Sequence, residues 1–293
     1  MTKTAWVFPG QGSQAIGMGV DLVELPEAKA KFAIAEEILG WSVLEVCQSE
    51  EEKLARTLYT QPCLYVVESL LADLLHDRGQ QPELVAGHSL GEYVALYVAG
   101  AFDFETGLRL VKRRSQLMDC VAGGQMAALM KFDRHQLETQ IQNTDGVVLA
   151  NDNSAEQVVI SGTPAAVEAI LNSVKAKRAV KLNVGGAFHS PLMATAALEF
   201  QQVLNSVSFA DTTIPVLSNV EPEPSTDGNV LKDRLLSQMT GSVRWREICL
   251  RLPQEGIERA IEVGPGKVLS GLLKRTCAQL ALENIGSAAD LKT

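Results

Sequence analysis

The segment that most restricts the fold runs from Leu84 to Gly100. Leu84-Val85-Ala86 reads as a short buried strand, Gly87-His88-Ser89-Leu90-Gly91 breaks it, and Glu92 to Ala99 continues as an apolar helical stretch closed by Gly100. A strand that turns sharply into a helix needs neighbours of the same kind, because the buried strand must be covered on both faces. The rest of the chain supplies them. Thr4 to Phe8 is a strand-like run ending in the glycine-bearing loop Pro9-Gly10-Gln11-Gly12-Ser13-Gln14, and Pro62 to His76 carries Leu64, Val67, Leu71 and Leu74 on one helical stripe. Ile214 to Val220 and Arg259 to Val263 are further buried strands, separated by an acidic, proline-rich loop at 221 to 229 and by helices. Ser190-Pro191 is an N-cap with proline at the first helical position, and a helix is expected over Leu192 to Val207. The alternation predicts an α/β fold with a mainly parallel sheet.

The middle of the chain has a different rhythm. Gln125 to Lys131 is strand-like, Asp133-x-x-Gln136 resembles a capping box opening a short helix, and Val147 to Asn151 and Gln157 to Ser161 are two β-rich runs. Thr163-Pro164 then opens a helix with Val167, Ile170, Leu171 and Val174 at helical spacing, and Ala179 to Val184 returns as a strand. The order β-α-β-β-α-β is the ferredoxin-like pattern. Residues 124–186 are therefore read as an inserted subdomain, with 1–123 and 187–293 forming the larger domain.

Charge narrows the partners. The 293 residues carry 26 Lys plus Arg against 35 Asp plus Glu, a net charge of −9. Binding a phosphate backbone needs a basic face, so nucleic acid and anionic membrane are not expected as partners. The longest apolar run, Leu84 to Phe102, is interrupted by Glu92 and glycines, so no membrane span is expected, and the first residues show no signal-peptide pattern. The five cysteines form no C-x-x-C pair and are read as packed thiols of a reducing, cytoplasmic protein. No metal-ligand spacing occurs among histidines and cysteines.

Gly87-His88-Ser89-Leu90-Gly91 has the G-x-S-x-G form, in which small flanking residues let a serine stand on a strained strand-to-helix turn. Ser89 is the candidate nucleophile, and the helix N-terminus beside it offers donors where an oxyanion would form. The plain alternative is a tight turn. A serine needs a base, and only four histidines are present. His76 and His135 lie in polar surroundings, and His88 adjoins the serine and is read as packing. His189, in the loop Gly185 to Pro191, is the candidate base, against a structural role. The loop Gly10-Gln11-Gly12 reads either as a poor dinucleotide fingerprint or as a backbone donor to the oxyanion.

Arg114 gives a sharper signal. On a helical wheel over residues 107–121, Arg109, Lys112, Arg113 and Gln116 share one side, whereas Arg114 falls among Leu110, Val111, Leu117, Met118 and Val121. A guanidinium there is costly unless paired. It is either an internal ion pair or a bidentate receptor for a substrate carboxylate.

Five motifs coincide in order: Phe8-Pro9-Gly10-Gln11-Gly12-Ser13-Gln14, Gly87-His88-Ser89-Leu90-Gly91-Glu92, Arg114-x-x-x-Met118, Gly186-Ala187-Phe188-His189-Ser190 and Glu262-Val263-Gly264-Pro265-Gly266. Over almost the whole length the chain resembles the malonyl-CoA:acyl-carrier-protein transacylases, the acyltransferase family of fatty-acid and polyketide synthesis. The resemblance implies an α/β-hydrolase-like large domain with an inserted ferredoxin-like subdomain, and a ping-pong transfer through malonyl-Ser89 with His189 as base. It implies that the Gln11 and Leu90 amides form the oxyanion hole, that Arg114 holds the malonyl carboxylate, and that the Gln238 carbonyl orients His189. Phe188, Met118 and Asn151 would line the substrate pocket, Phe188 resembling the malonyl-selective variants. Ser115 departs from the glycine common after the arginine. Implied partners are malonyl-CoA and acyl carrier protein, with coenzyme A entering as a thioester substrate and no tightly bound cofactor. A monomer is expected, serving fatty-acid synthesis; the alternatives are a serine hydrolase, a polyketide acyltransferase, or a nucleotide- or partner-binding module using the glycine loop. Carrier proteins are acidic, so docking is expected on Arg109, Lys112 and Arg113 or on Lys175, Lys177, Arg178 and Lys181.

Overall fold

The computed structural model describes residues 2–292, excluding the Lys292 side chain. Among the described residues nine strands form two sheets. The first contains β1 (Thr4–Phe8), β2 (Leu84–Gly87), β7 (Val216–Leu217), β8 (Arg259–Val263) and β9 (Ala281–Ile285) in the order β7-β2-β1-β8-β9. Every pairing in it is parallel. The period-two alternation of β1 explains its central position. Trp6 and Phe8 enter one apolar cluster while Ala5 and Val7 enter another on the opposite face, so both faces are covered by helices.

The second sheet contains β3 (Gln125–Phe132), β4 (Val147–Ser154), β5 (Gln157–Gly162) and β6 (Ala176–Lys181), ordered β4-β5-β3-β6. All three pairings are antiparallel. This is the strand order of a ferredoxin-like sheet, and its helices Arg134–Gln142 and Pro164–Ser173 share a separate apolar cluster with one sheet face. The second sheet is tied at a seam to the segment ahead of the helix Trp245–Gln254. Asp152 donates its amide to the Val243 carbonyl at 2.9 Å and Val243 returns one to Ala150 at 2.8 Å. The largely buried Asp152 carboxylate also pairs with Arg134 at 2.8 Å and Arg246 at 3.0 Å.

Several local expectations are corrected. The strand expected at Ala179 to Val184 lies at Ala176–Lys181, where β6 pairs with β3 as an edge strand. Ile214 to Val220 shrinks to the two residues of β7, and Asn219, beyond the strand, binds the Ser89 amide and the Gly87 carbonyl. The helix expected from Pro62 begins at Thr57 and runs to Asp77; Pro62, near its start, removes a single backbone bond that neighbouring packing outweighs. A 3-10 turn, Pro191–Met193, precedes the helix Ala194–Asn205. The capping box at Asp133 is half formed: Asp133 accepts from the Gln136 amide, but the Gln136 side chain turns to the Ser173 carbonyl. β9 escaped notice because Glu283 and Asn284 break its apolar run. Cys47, Cys63, Cys249 and Cys277 are buried, whereas Cys120 at the end of its helix is exposed. No helix among the described residues is long and apolar enough to cross a membrane.

Candidate active site

The carboxyl ends of β1 and β2 lie side by side, and the loops leaving them form the site. Ser89 has φ 53°, a left-handed conformation costly for a residue with a side chain. The flanking glycines are required by space. A Cβ on Gly87 would stand 1.9 Å from the Gly91 carbonyl carbon, and one on Gly91 would stand 2.0 Å from the Phe8 oxygen. The strain is held from beneath. The Ser89 amide donates to Asn219 Oδ1 at 2.7 Å, Asn219 Nδ2 donates to the Gly87 carbonyl at 2.6 Å, and Gln238 Nε2 donates to the Ser89 carbonyl at 2.8 Å.

Above the elbow, Ser89 Oγ is 2.8 Å from His189 Nε2, and His189 Nδ1 is 2.9 Å from the Gln238 carbonyl. A carbonyl only accepts, so Nδ1 carries the proton and Nε2 is left to accept from the serine hydroxyl. His189 is 4 % exposed. Burial, and then the charge of Arg114, lower its pKa to about 3, so the imidazole is neutral at physiological pH. His88 points away, with Nε2 2.8 Å from Asn153 Oδ1 and its ring near Trp245. His76 and His135 are exposed.

Arg114, on the helix Phe104–Cys120, is fully buried, and its partners decide between the two readings of it. Nη1 donates to Gln61 Oε1 at 2.7 Å; Nη2 donates to Gln238 Oε1 and to Ser89 Oγ, each at 3.0 Å. All three acceptors are uncharged, and the guanidinium lies 5.3 Å from the Tyr93 ring centroid. The internal ion pair is therefore not what Arg114 makes. A permanent cation held by neutral oxygens beside a serine has the charge and the geometry to receive an anion.

The loop after β1 presses on the elbow: a Cβ on Gly10 would lie 2.4 Å from the His88 oxygen. Gln11 follows directly on Gly10, and Leu90 is the N-cap of the elbow helix Gly91–Ala99. The Gln11 side chain is anchored to Thr57 Oγ1 at 3.1 Å. Met118, one turn beyond Arg114, has its sulfur 3.4 Å from Gln61 Nε2, and Phe188 is buried against Gly186. Asn151 is half-buried on β4 at the seam and bridges to Val243; Asn153, two residues on, is the one that touches the elbow.

Three residues of the cluster carried no role in the sequence reading. Gln61 and Asn219 are buried polar side chains in apolar surroundings, a signal a wheel over 57–77 gives for Gln61. The third, Glu92, sits inside the G-x-S-x-G-E run itself, 0 % exposed.

Known proteins agree with this geometry. Residues 5–292 match the acyl transferase domain. The malonyl CoA-acyl carrier protein transacylase of Synechocystis sp. is 62 % identical over 291 residues, 99 % of each chain. The crystal structure of the Synechocystis malonyl-CoA:ACP transacylase superposes with a TM-score of 0.98 over 99 % of both chains. A malonyl-transacylase solved in complex with its type II PKS acyl-carrier protein, 35 % identical, covers 100 % of this chain and 98 % of its own with a TM-score of 0.94. With its fold, its serine site and its relatives in accord along nearly the whole sequence, the chain belongs to the acyl transferase domain family.

Proposed function

We propose that the protein is a malonyl CoA-acyl carrier protein transacylase, as its relatives are named, and that it carries the malonyl group of malonyl-CoA to the phosphopantetheine thiol of the carrier protein in fatty-acid synthesis. The observation that carries this reading is Arg114, a buried cation with neutral partners whose Nη2 donates to the nucleophile's own oxygen. Malonyl-CoA supplies the missing carboxylate. Bidentate binding at Arg114 fixes the far end of the acyl group and brings its thioester carbonyl to Ser89.

His189 Nε2 takes the Ser89 proton as Oγ attacks the thioester carbon. The developing oxyanion is met by the Gln11 and Leu90 amides, the latter at a helix N-terminus. The carbon–sulfur bond breaks and His189 returns the proton to the departing coenzyme A thiol. In the second half, His189 takes the proton of the phosphopantetheine thiol, its sulfur attacks malonyl-Ser89, and the serine oxygen leaves with the proton. Gln238 holds His189 in the required tautomer where many hydrolases use a carboxylate. Phe188, Met118 and Asn151 would line the acyl pocket. No tightly bound cofactor takes part in this scheme; coenzyme A enters and leaves as substrate and product.

In this reading the larger domain is 1–123 with 187–293 and the insert is 124–186, the protein acts as a cytoplasmic monomer, and carrier protein docks on a basic face. Of the two candidates, Lys175, Lys177, Arg178 and Lys181 are favoured. In the other stripe Arg109 pairs with Glu105, Arg113 pairs with Glu199 and Lys112 donates to the Ile38 carbonyl. Of the four on the insert, among the described residues only Lys181 is paired, with Glu168, and Lys177 and Arg178 are exposed on β6. A serine hydrolase has no use for a buried cation at the nucleophile. Incubating the protein with malonyl-CoA and holo acyl carrier protein tests the proposal: malonylated carrier is expected, and hydrolysis to malonate without carrier loading would refute it.

A further inference from the structure

Glu92 takes no part in the chemistry described above, yet it sits directly beneath it. Its carboxyl is enclosed; two of its hydrogen-bond donors are amides, Gln238 Nε2 at 2.7 Å and the Asn219 backbone N–H at 3.2 Å, both to Oε2, and the Ser218 hydroxyl lies beside it as well. Oε1 has no hydrogen-bond partner. A carboxylate buried without a cation in contact is expensive, and an apolar residue would fill the space at lower cost.

What Glu92 holds explains its place. Gln238 spends its remaining polar atoms on the site, with Oε1 on Arg114, Nε2 also on the Ser89 carbonyl, and its backbone oxygen on His189. Asn219 fixes the Ser89 amide and the Gly87 carbonyl. One carboxyl therefore anchors both residues that support the nucleophile, the base and the cation. We propose that Glu92 is a positioning residue of the transacylase, and that its negative charge, relayed through the Gln238 amide, is the counter-charge to Arg114 and to the imidazolium that forms on His189 during transfer. The inference rests on the transacylase reading above.

The charge has a consequence for pH. Burial pushes the Glu92 pKa up to about 7, against the hydrogen bonds from Gln238, Asn219 and Ser218 and the charge of Arg114. The ionisable groups around it are Arg114, permanently charged, Tyr93, held by burial above its ordinary range, and His189, neutral above about pH 3. None of these three titrates near neutrality, so among the groups facing Glu92 only its own carboxyl does, and the comparison with a variant lacking it assigns a change of rate there.

The test is the rate of malonyl-Ser89 formation from malonyl-CoA between about pH 5.5 and 8.5 in the wild type and in Glu92→Gln, which keeps an oxygen for both amide donors. The wild-type rate is expected to rise about tenfold through neutrality, whereas Glu92→Gln is expected to be flat and about tenfold slower at the alkaline end. KM for malonyl-CoA and the melting temperature are expected to stay close to wild type. A variant with the wild-type rate and profile would overturn the proposal and leave Glu92 a packing group. If Glu92→Gln does not fold, the wild-type profile decides, and a flat one overturns the proposal. A folded wild type that never acquires malonate on Ser89 would refute the transacylase reading and this inference with it; a labelled wild type beside an unaffected variant refutes the inference alone.

Discussion

Arg114 Nη2 donates to Ser89 Oγ at 3.0 Å, so the buried guanidinium and the hydroxyl of the elbow serine are hydrogen-bonded to each other. Both Nη2 protons are in use, on Ser89 and on Gln238. A substrate carboxylate that draws the guanidinium toward itself also frees the serine oxygen.

Replacing Arg114 by Ala is expected to lower kcat/KM for malonyl-CoA by about ten- to a hundredfold, the worth of charge-assisted hydrogen bonds at about 1.5–3 kcal/mol. Acetyl-CoA, which has no carboxylate, should improve relative to malonyl-CoA. Steady-state kinetics on both thioesters check this, and equal loss on both would contradict the carboxylate role. Arg114→Lys should rescue little, since an ammonium has no planar fork.

Gln61→Ala should weaken selection without touching the nucleophile. It removes the Nη1 acceptor at 2.7 Å and frees the guanidinium to rotate. KM for malonyl-CoA is expected to rise about tenfold with a smaller change in kcat, for the loss of one charge-assisted bond. A kcat effect larger than the KM effect would show that Gln61 acts on the chemical step instead.

His189 predicts a particular acid sensitivity. Its pKa in the folded protein is about 3, well below the ordinary 6.5, because burial and Arg114 disfavour the imidazolium. Between these values the unfolded chain binds a proton that the folded one refuses. The contribution to stability is therefore present above about pH 6.5 and is lost as pH falls toward 3, a loss on the order of several kcal/mol. His189→Gln should narrow the difference in melting temperature between about pH 7 and 4, and an unchanged acid limb would contradict the assignment.

Asn219→Ala should cost about 1–3 kcal/mol, because the Ser89 amide and the Gly87 carbonyl lose their partners at a left-handed residue. Thermal unfolding measures it. Full stability in the variant would mean that the elbow is held by its glycines and by Gln238 alone.

The reach of the sequence follows from how local each signal is. The elbow was legible because Leu84 to Gly100 contains its own strand, turn and cap, and Arg114 because a single helix shows which side of it is apolar. His189 emerged by elimination among four histidines and from its loop. Gln238 came only with the family resemblance, and only its carbonyl was foreseen; its side chain, which touches Arg114, Ser89 and Glu92, depends on a separation of more than a hundred residues. Asn219 was hidden for the same reason, within a run that read as continuous strand. β9 and the register of β6 were obscured because edge strands are half-exposed and carry polar residues that blur the alternation.

The central claim is that Ser89 carries a malonyl group held by Arg114. Intact-mass analysis after mixing the folded protein with an equimolar mixture of malonyl-CoA and acetyl-CoA tests it most directly. The account predicts one malonyl group per chain, located on Ser89, absent in Ser89→Ala and largely replaced by acetyl in Arg114→Ala. A folded wild type that stays unmodified, or that takes malonyl and acetyl alike, would contradict it.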